Sequence, residues 1–75
     1  MKKLNNILAS IFKIDEAQLT DELSMKSVAM WDSLKHMELI SVIEDELKIA
    51  LTAEDIIQMV NIKSIREIVV RKTQL

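Results

Sequence analysis

Trp31-Asp32-Ser33-Leu34-Lys35-His36-Met37-Glu38-Leu39-Ile40-Ser41-Val42-Ile43-Glu44-Asp45-Glu46-Leu47-Lys48 is the stretch that decides the fold. Asp32 is a favoured N-cap, because its carboxylate accepts a backbone N–H left without a partner in the first turn of a helix. Setting the following residues at about 100° per step gathers Met37, Leu39, Ile40, Ile43 and Leu47 into one broad apolar arc, with His36 inside it. The opposite stripe is Leu34, Glu38, Ser41 and Asp45, polar apart from its first residue. The spacing predicts a helix from Asp32-Ser33 to Leu47 or Lys48 that buries one face. Glu44 and Lys48, four apart, are placed to pair weakly on its surface.

Working outward, Leu4, Ile7, Leu8, Ile11 and Phe12 recur at steps of three and four, which predicts a core-facing helix over roughly residues 2–13. Between the two helices, Asp15, Thr20, Asp21, Ser24 and Ser27 are turn and cap formers. Leu19, Leu23, Met25, Val28 and Trp31 lie among them and are able to drop side chains onto a core. The reading there is a long ordered loop, with short helical turns starting at Asp15 and Thr20. Downstream, Thr52-Ala53-Glu54-Asp55 opens a short third helix, with Ile56 and Met59 or Val60 facing inward. Ser64-Ile65-Arg66-Glu67 has the pattern of a capping box and predicts the start of a fourth helix there, carrying Ile65, Ile68 and Val69 inward.

Composition narrows the options. The chain has 75 residues, which fits one domain over 1–75, and 49% of them are hydrophobic. Glycine, proline and cysteine are all absent. A glycine-free chain has neither a Walker loop nor a dinucleotide fingerprint, since both need backbone that approaches phosphate without a Cβ in the way. Without cysteine there is no disulfide framework, and a single histidine makes no metal site. The net charge is −2, with both signs mixed along the chain. No basic run tracks a phosphate backbone, which disfavours a nucleic-acid partner. No segment reaches the roughly 18 apolar residues needed to span a bilayer. Lys2 and Lys3 precede an apolar stretch, but Asn5 and Asn6 interrupt it and no clear cleavage site follows. A soluble, monomeric, cytoplasmic protein is expected.

Few residues are able to carry chemistry. Ser33 and His36 stand three apart, but His36 points toward the expected core and no glycine provides a nucleophile elbow. The run Glu44-Asp45-Glu46 reads as a solvated helix end or an acidic recognition surface. The distinctive feature is Ser33 itself. At a helix N-terminus the backbone N–H groups are unpaired and carry partial positive charge, so a phosphate on its Oγ would be better tolerated than in mid-helix.

Asp32-Ser33-Leu34, the acidic helix after it, the short third helix and the capped fourth together resemble the acyl carrier protein family. The resemblance runs from the first helix to about Val70 and is carried mainly by Trp31–Ile40. It implies an all-α four-helix bundle of three main helices and one short one. It also implies a non-catalytic protein whose Ser33 receives 4′-phosphopantetheine from coenzyme A through a separate Mg²⁺-dependent phosphopantetheinyl transferase, with Asp32 as the neighbouring acid. Acyl groups would ride on the arm as thioesters, so the absence of cysteine is no obstacle. Acyl-loading and acyl-transfer enzymes would read Leu34, Glu38, Glu44 and Asp45, and Ile40, Ile43, Ile56, Met59 and Ile62 would line an acyl pocket. The family usually has a glycine just before the motif and an acidic residue just after it, where this chain has Ala29, Met30, Trp31 and then Lys35. A fatty-acid, polyketide-like or otherwise specialised acyl pathway is expected. The competing readings are an aminoacyl or peptidyl carrier loaded by an adenylating enzyme, and a helical adaptor without a cofactor.

Overall fold

A computed structural model describes residues 2–73. Its elements are α1 (Lys2–Phe12), a 3₁₀ turn (Glu16–Gln18), α2 (Ser33–Leu47), α3 (Ala53–Gln58) and α4 (Ile62–Thr73). This is the expected bundle of three main helices and one short one. No strand forms among the described residues beyond a single antiparallel bridge between Ser24 and Asn61.

The periodic positions of α1 all turn inward: Leu4, Ile7, Leu8, Ile11 and Phe12 are buried. In α2 the buried positions are His36, Leu39, Ile40 and Ile43, a tighter stripe than the predicted arc. Met37 is 53% exposed and does not belong to the core. It lies at the edge of the arc, one step from His36, and His36 takes the inward position. Both α1 and α2 end on a lysine in the left-handed region, Lys13 at φ 57° and Lys48 at φ 56°. That conformation costs a residue with a Cβ about 1 kcal/mol, and it falls to lysine because the chain has no glycine. The reversal at Lys48 swings the Leu51 N–H back to donate to Glu44 Oε2 at 2.9 Å. Glu44 therefore closes the turn after α2 and does not pair with Lys48.

The fourth helix begins earlier than the Ser64 pattern predicts. Asn61 caps it: its Oδ1 accepts the Ser64 N–H at 2.7 Å, and its backbone carbonyl accepts the Ile65 N–H at 3.1 Å. Starting there places Ile62, Ile65, Ile68 and Val69 on one buried face, which a start at Ser64 would have cost the fully buried Ile62.

The loop from residue 14 to 32 is held at specific points. The Met25 N–H donates to the Val60 carbonyl and the Ile62 N–H to the Leu23 carbonyl, at 3.1 and 2.9 Å. Arg66 reaches back from α4 to Asp21 Oδ1 at 2.9 Å, the Leu19 carbonyl at 3.1 Å and Asn5 Oδ1 at 3.2 Å. One planar guanidinium thus joins α1, the loop and α4, a geometry suited to arginine's fixed fork of donors.

Asp55 does similar work for α3. It exchanges hydrogen bonds with Thr52 in a capping box, accepting the Thr52 N–H at 3.0 Å and donating its own N–H to Thr52 Oγ1 at 3.0 Å. Its carboxylate also meets Lys72 Nζ at 2.9 Å and Arg71 at 3.6 Å near the end of α4. The Thr52 backbone N–H and the Lys72 ammonium hold its pKa down, from 3.8 to about 2. A carboxylate depressed in the folded state stabilises the fold above its unfolded pKa and loses that effect as pH falls toward the folded value. The wild-type urea midpoint is therefore expected to drop between about pH 4 and pH 2. Asp55→Asn should lower the midpoint at pH 7 and flatten that acid limb; equal slopes for the two proteins would contradict the assignment.

Candidate functional site

Ser33 is the first residue of α2 and is exposed. The helix starts there because Asp32, in extended backbone, accepts the Lys35 N–H on Oδ1 at 2.8 Å and the His36 N–H on its carbonyl at 2.8 Å. The amides of Ser33 and Leu34 precede any intrahelical acceptor and face outward with the helix end, where an anion is favoured. The corner thus offers a hydroxyl that another protein can reach and a local field that suits a phosphodiester.

Behind the corner lies a buried polar chain. Trp31, 1% exposed, packs its ring against Phe12 with centroids 4.7 Å apart. Its Nε1–H donates to His36 Nδ1 at 3.0 Å, and His36 Nε2 lies 3.0 Å from the Ile56 carbonyl. An indole nitrogen only donates, so Nδ1 must accept and Nε2 must carry the proton that goes to Ile56. His36 is therefore a fully satisfied neutral side chain of the core. The sequence put it inward, but the two partners are invisible there, one being a backbone carbonyl 20 residues on.

The charged residues expected to meet partners fare unequally. Glu38 is exposed but pairs with Lys35 at 3.2 Å, which cancels much of its field. Glu44 is half-buried and committed to the Leu51 N–H, so it is withdrawn from that surface. Asp45 is exposed. Leu34 stands out at 81% exposure, and it has apolar company that the sequence did not signal. The exposed large hydrophobic residues among those described are Met30, Leu34, Met37, Ile57 and Val60. They fall on the end of the loop, the first turns of α2, and α3 with its exit. The His36–Ile56 contact brings α3 beside the start of α2, and the Met25–Val60 bond ties its exit to the loop. Val60 was hidden because the spacing offered it, as an alternative to Met59, for the inward position, which Met59 takes; Ile57 drew no reading from the sequence.

The five expected pocket residues are packed as core. Ile40, Ile43, Met59 and Ile62 are buried and Ile56 half-buried, closing the seam between α2, α3 and α4. A groove of about 540 Å³ runs instead between α1 and α2, floored by Ile7, Ile11 and Val42 and rimmed by Lys35 and Glu38. No cluster of three or more metal-ligating side chains occurs among the described residues, and no described helix is long and apolar enough to cross a membrane.

Comparison with known proteins adds two findings. The family model for the phosphopantetheine attachment site matches residues 2–69. Among solved structures, the solution structure of a holo acyl carrier protein from Geobacter metallireducens superposes with a TM-score of 0.83 at 31% identity, covering 95% of this chain and 82% of that one.

Proposed function

Because this chain belongs to the phosphopantetheine-attachment family of carrier domains, we propose that Ser33 is the residue that bears its arm. As an acyl-carrier-type protein it is a non-catalytic carrier, and its cofactor is covalent 4′-phosphopantetheine. The arm supplies a terminal thiol on which acyl groups are held as thioesters. What the chain contributes is the attachment corner, the docking surface and the scaffold beneath them.

The observation that supports Ser33 is its exposed hydroxyl at the first position of α2, inside Asp32-Ser33-Leu34. Asp32 sets the corner by capping the helix, and the free N–H groups of the first turn would donate to the phosphodiester. The test is intact mass. Incubation with coenzyme A, Mg²⁺ and a broad-specificity phosphopantetheinyl transferase should add one phosphopantetheinyl group per chain. An unchanged mass would favour the cofactor-free adaptor.

Partner enzymes dock, in this reading, on the apolar patch of Leu34, Met37, Ile57, Val60 and Met30, with Asp45 at its margin. The Lys35–Glu38 pair offsets the carboxylate on the patch's own face, and the Glu44 carboxylate is turned to the Leu51 N–H, which leaves the contact itself mainly apolar. Raising salt from 50 to 500 mM should therefore change the KM for loading by less than about threefold, since screening acts mainly on uncompensated surface charge. A steep salt dependence would restore the acidic docking surface expected from sequence.

The cargo is acyl, drawn from fatty-acid, polyketide-like or other specialised metabolism. It would shelter among Ile40, Ile43, Ile56, Met59 and Ile62 once the seam beside α3 parts, with Met59 the most adaptable wall. Loading trials with fatty acyl, malonyl and aminoacyl donors test the cargo; selective aminoacylation by an adenylating enzyme would assign the chain to peptide synthesis.

A further inference from the structure

The residues on either side of Ser33 are joined to each other through the core. Trp31 lies two residues before it and His36 three after, and their side chains meet at 3.0 Å. Residues 32–35 are thereby closed into a short arch, with the exposed serine on its outer side. The arch is pinned at both feet: Trp31 packs on Phe12 of α1, and His36 Nε2 donates to the Ile56 carbonyl of α3. The described residues contain no buried side-chain nitrogen or oxygen without a hydrogen bond, so the link is complete. Breaking one foot would strand a buried donor or acceptor, which is the expensive way to lose a hydrogen bond.

From this juxtaposition we propose that His36 is a positioning residue for transfer of the arm, holding the arch so that Ser33 Oγ meets its reaction partner already placed. The proposal rests on Ser33 being the attachment point. In the transfer, Ser33 Oγ bonds to the phosphorus that bears pantetheine, the bond from that phosphorus to 3′,5′-ADP breaks, and the hydroxyl proton passes to the transferase or to water. His36 does not take that proton: one ring nitrogen accepts from Trp31 and the other is protonated toward Ile56. Its effect is on alignment, and a misplacement of about 1 Å is enough to cost on the order of a hundredfold in rate.

The test compares steady-state loading of wild type and variants by a transferase with coenzyme A, titrating the carrier. His36→Leu is expected to lower kcat roughly tenfold with KM within about twofold, because the docking patch is untouched. His36→Asn places an amide oxygen near the Nδ1 position and should recover kcat to within about threefold of wild type, by restoring the acceptor for Trp31. A merely structural role gives a different pattern, since a partly unfolded carrier raises apparent KM as the inverse of the folded fraction and leaves kcat at saturation alone. An unchanged kcat in His36→Leu, or a change in KM only, overturns the proposal. Should circular dichroism show that His36→Leu does not fold, Trp31→Phe decides: it keeps an aromatic ring beside Phe12 and removes the N–H together with the pyrrole half of the indole. A several-fold fall in kcat supports the arch, and wild-type kcat refutes it. Failure of wild type itself to gain mass at Ser33 removes the attachment reading and the proposal together, whereas normal wild-type loading with normal His36→Leu kinetics removes the proposal alone.

Discussion

Ser33→Ala is expected to abolish phosphopantetheinylation completely while leaving the fold intact. The loss is total because no other side chain is placed to take over. Ser10, Ser24, Ser27, Ser41 and Ser64 lie within or between elements, and none stands at the opening of a long helix with free amides beside it. The Ser27 hydroxyl already accepts the Ser24 N–H and donates to the Ser24 carbonyl, and the Ser24 hydroxyl accepts the Lys26 N–H. The alanine protein should keep its helical circular dichroism and its unfolding free energy in urea to within about 0.5 kcal/mol, because Ser33 is exposed and Asp32 supplies the cap. Intact mass after incubation with coenzyme A and a transferase is the measurement. Modification of the variant at any other serine would refute the assignment.

Leu34→Glu and Ile57→Glu should be the next most damaging changes to loading, and Ile57→Glu is the more diagnostic. Leu34 adjoins the serine, so its loss mixes docking with alignment. Ile57 sits on α3, 74% exposed and 24 residues beyond Ser33, where it has no part in the proposed transfer. Removing a side chain of this size from an apolar contact forfeits about 2 kcal/mol, or roughly thirtyfold in affinity. The loss should show as a rise in KM with kcat preserved, because the contact is made equally in the bound and transition states. Stability should barely change, since a carboxylate at that exposed position is solvated. Wild-type KM in Ile57→Glu would confine docking to α2.

Much of the scaffold was legible in the sequence, and the reason is local. Leu4, Ile7, Leu8, Ile11 and Phe12 obey one period over one helix, so neighbours alone determine which face turns in. Asp32 announces the start of α2 in the same local way, and with it the corner that presents Ser33. Reading failed where a distant contact decided between two local options. Ser64 and Asn61 both offer a side-chain cap to the last helix; burial of Ile62 chooses Asn61. Glu44 had Lys48 one turn away, yet the left-handed Lys48 brought it the Leu51 amide instead. Met37 and Val60 are apolar residues with a core-like period that the packed bundle leaves outside. The acid anchor of α3 was half visible, since Thr52 and Asp55 show the capping pair, but Lys72 lies 17 residues on.

Arg66 sets an order of events. Its acceptors Asp21 and Leu19 precede it by 45 and 47 residues, and Asn5 by 61. Contacts of such span close late, after local helices have formed, because the entropy of bringing the ends together must be met first. A chain still growing on the ribosome exposes its serine well before the residue that fastens the preceding loop has been made. The loop that leads into Ser33 therefore takes its final course only once Arg66 is present, and a chain cut short before residue 66 is expected to leave that loop unfastened.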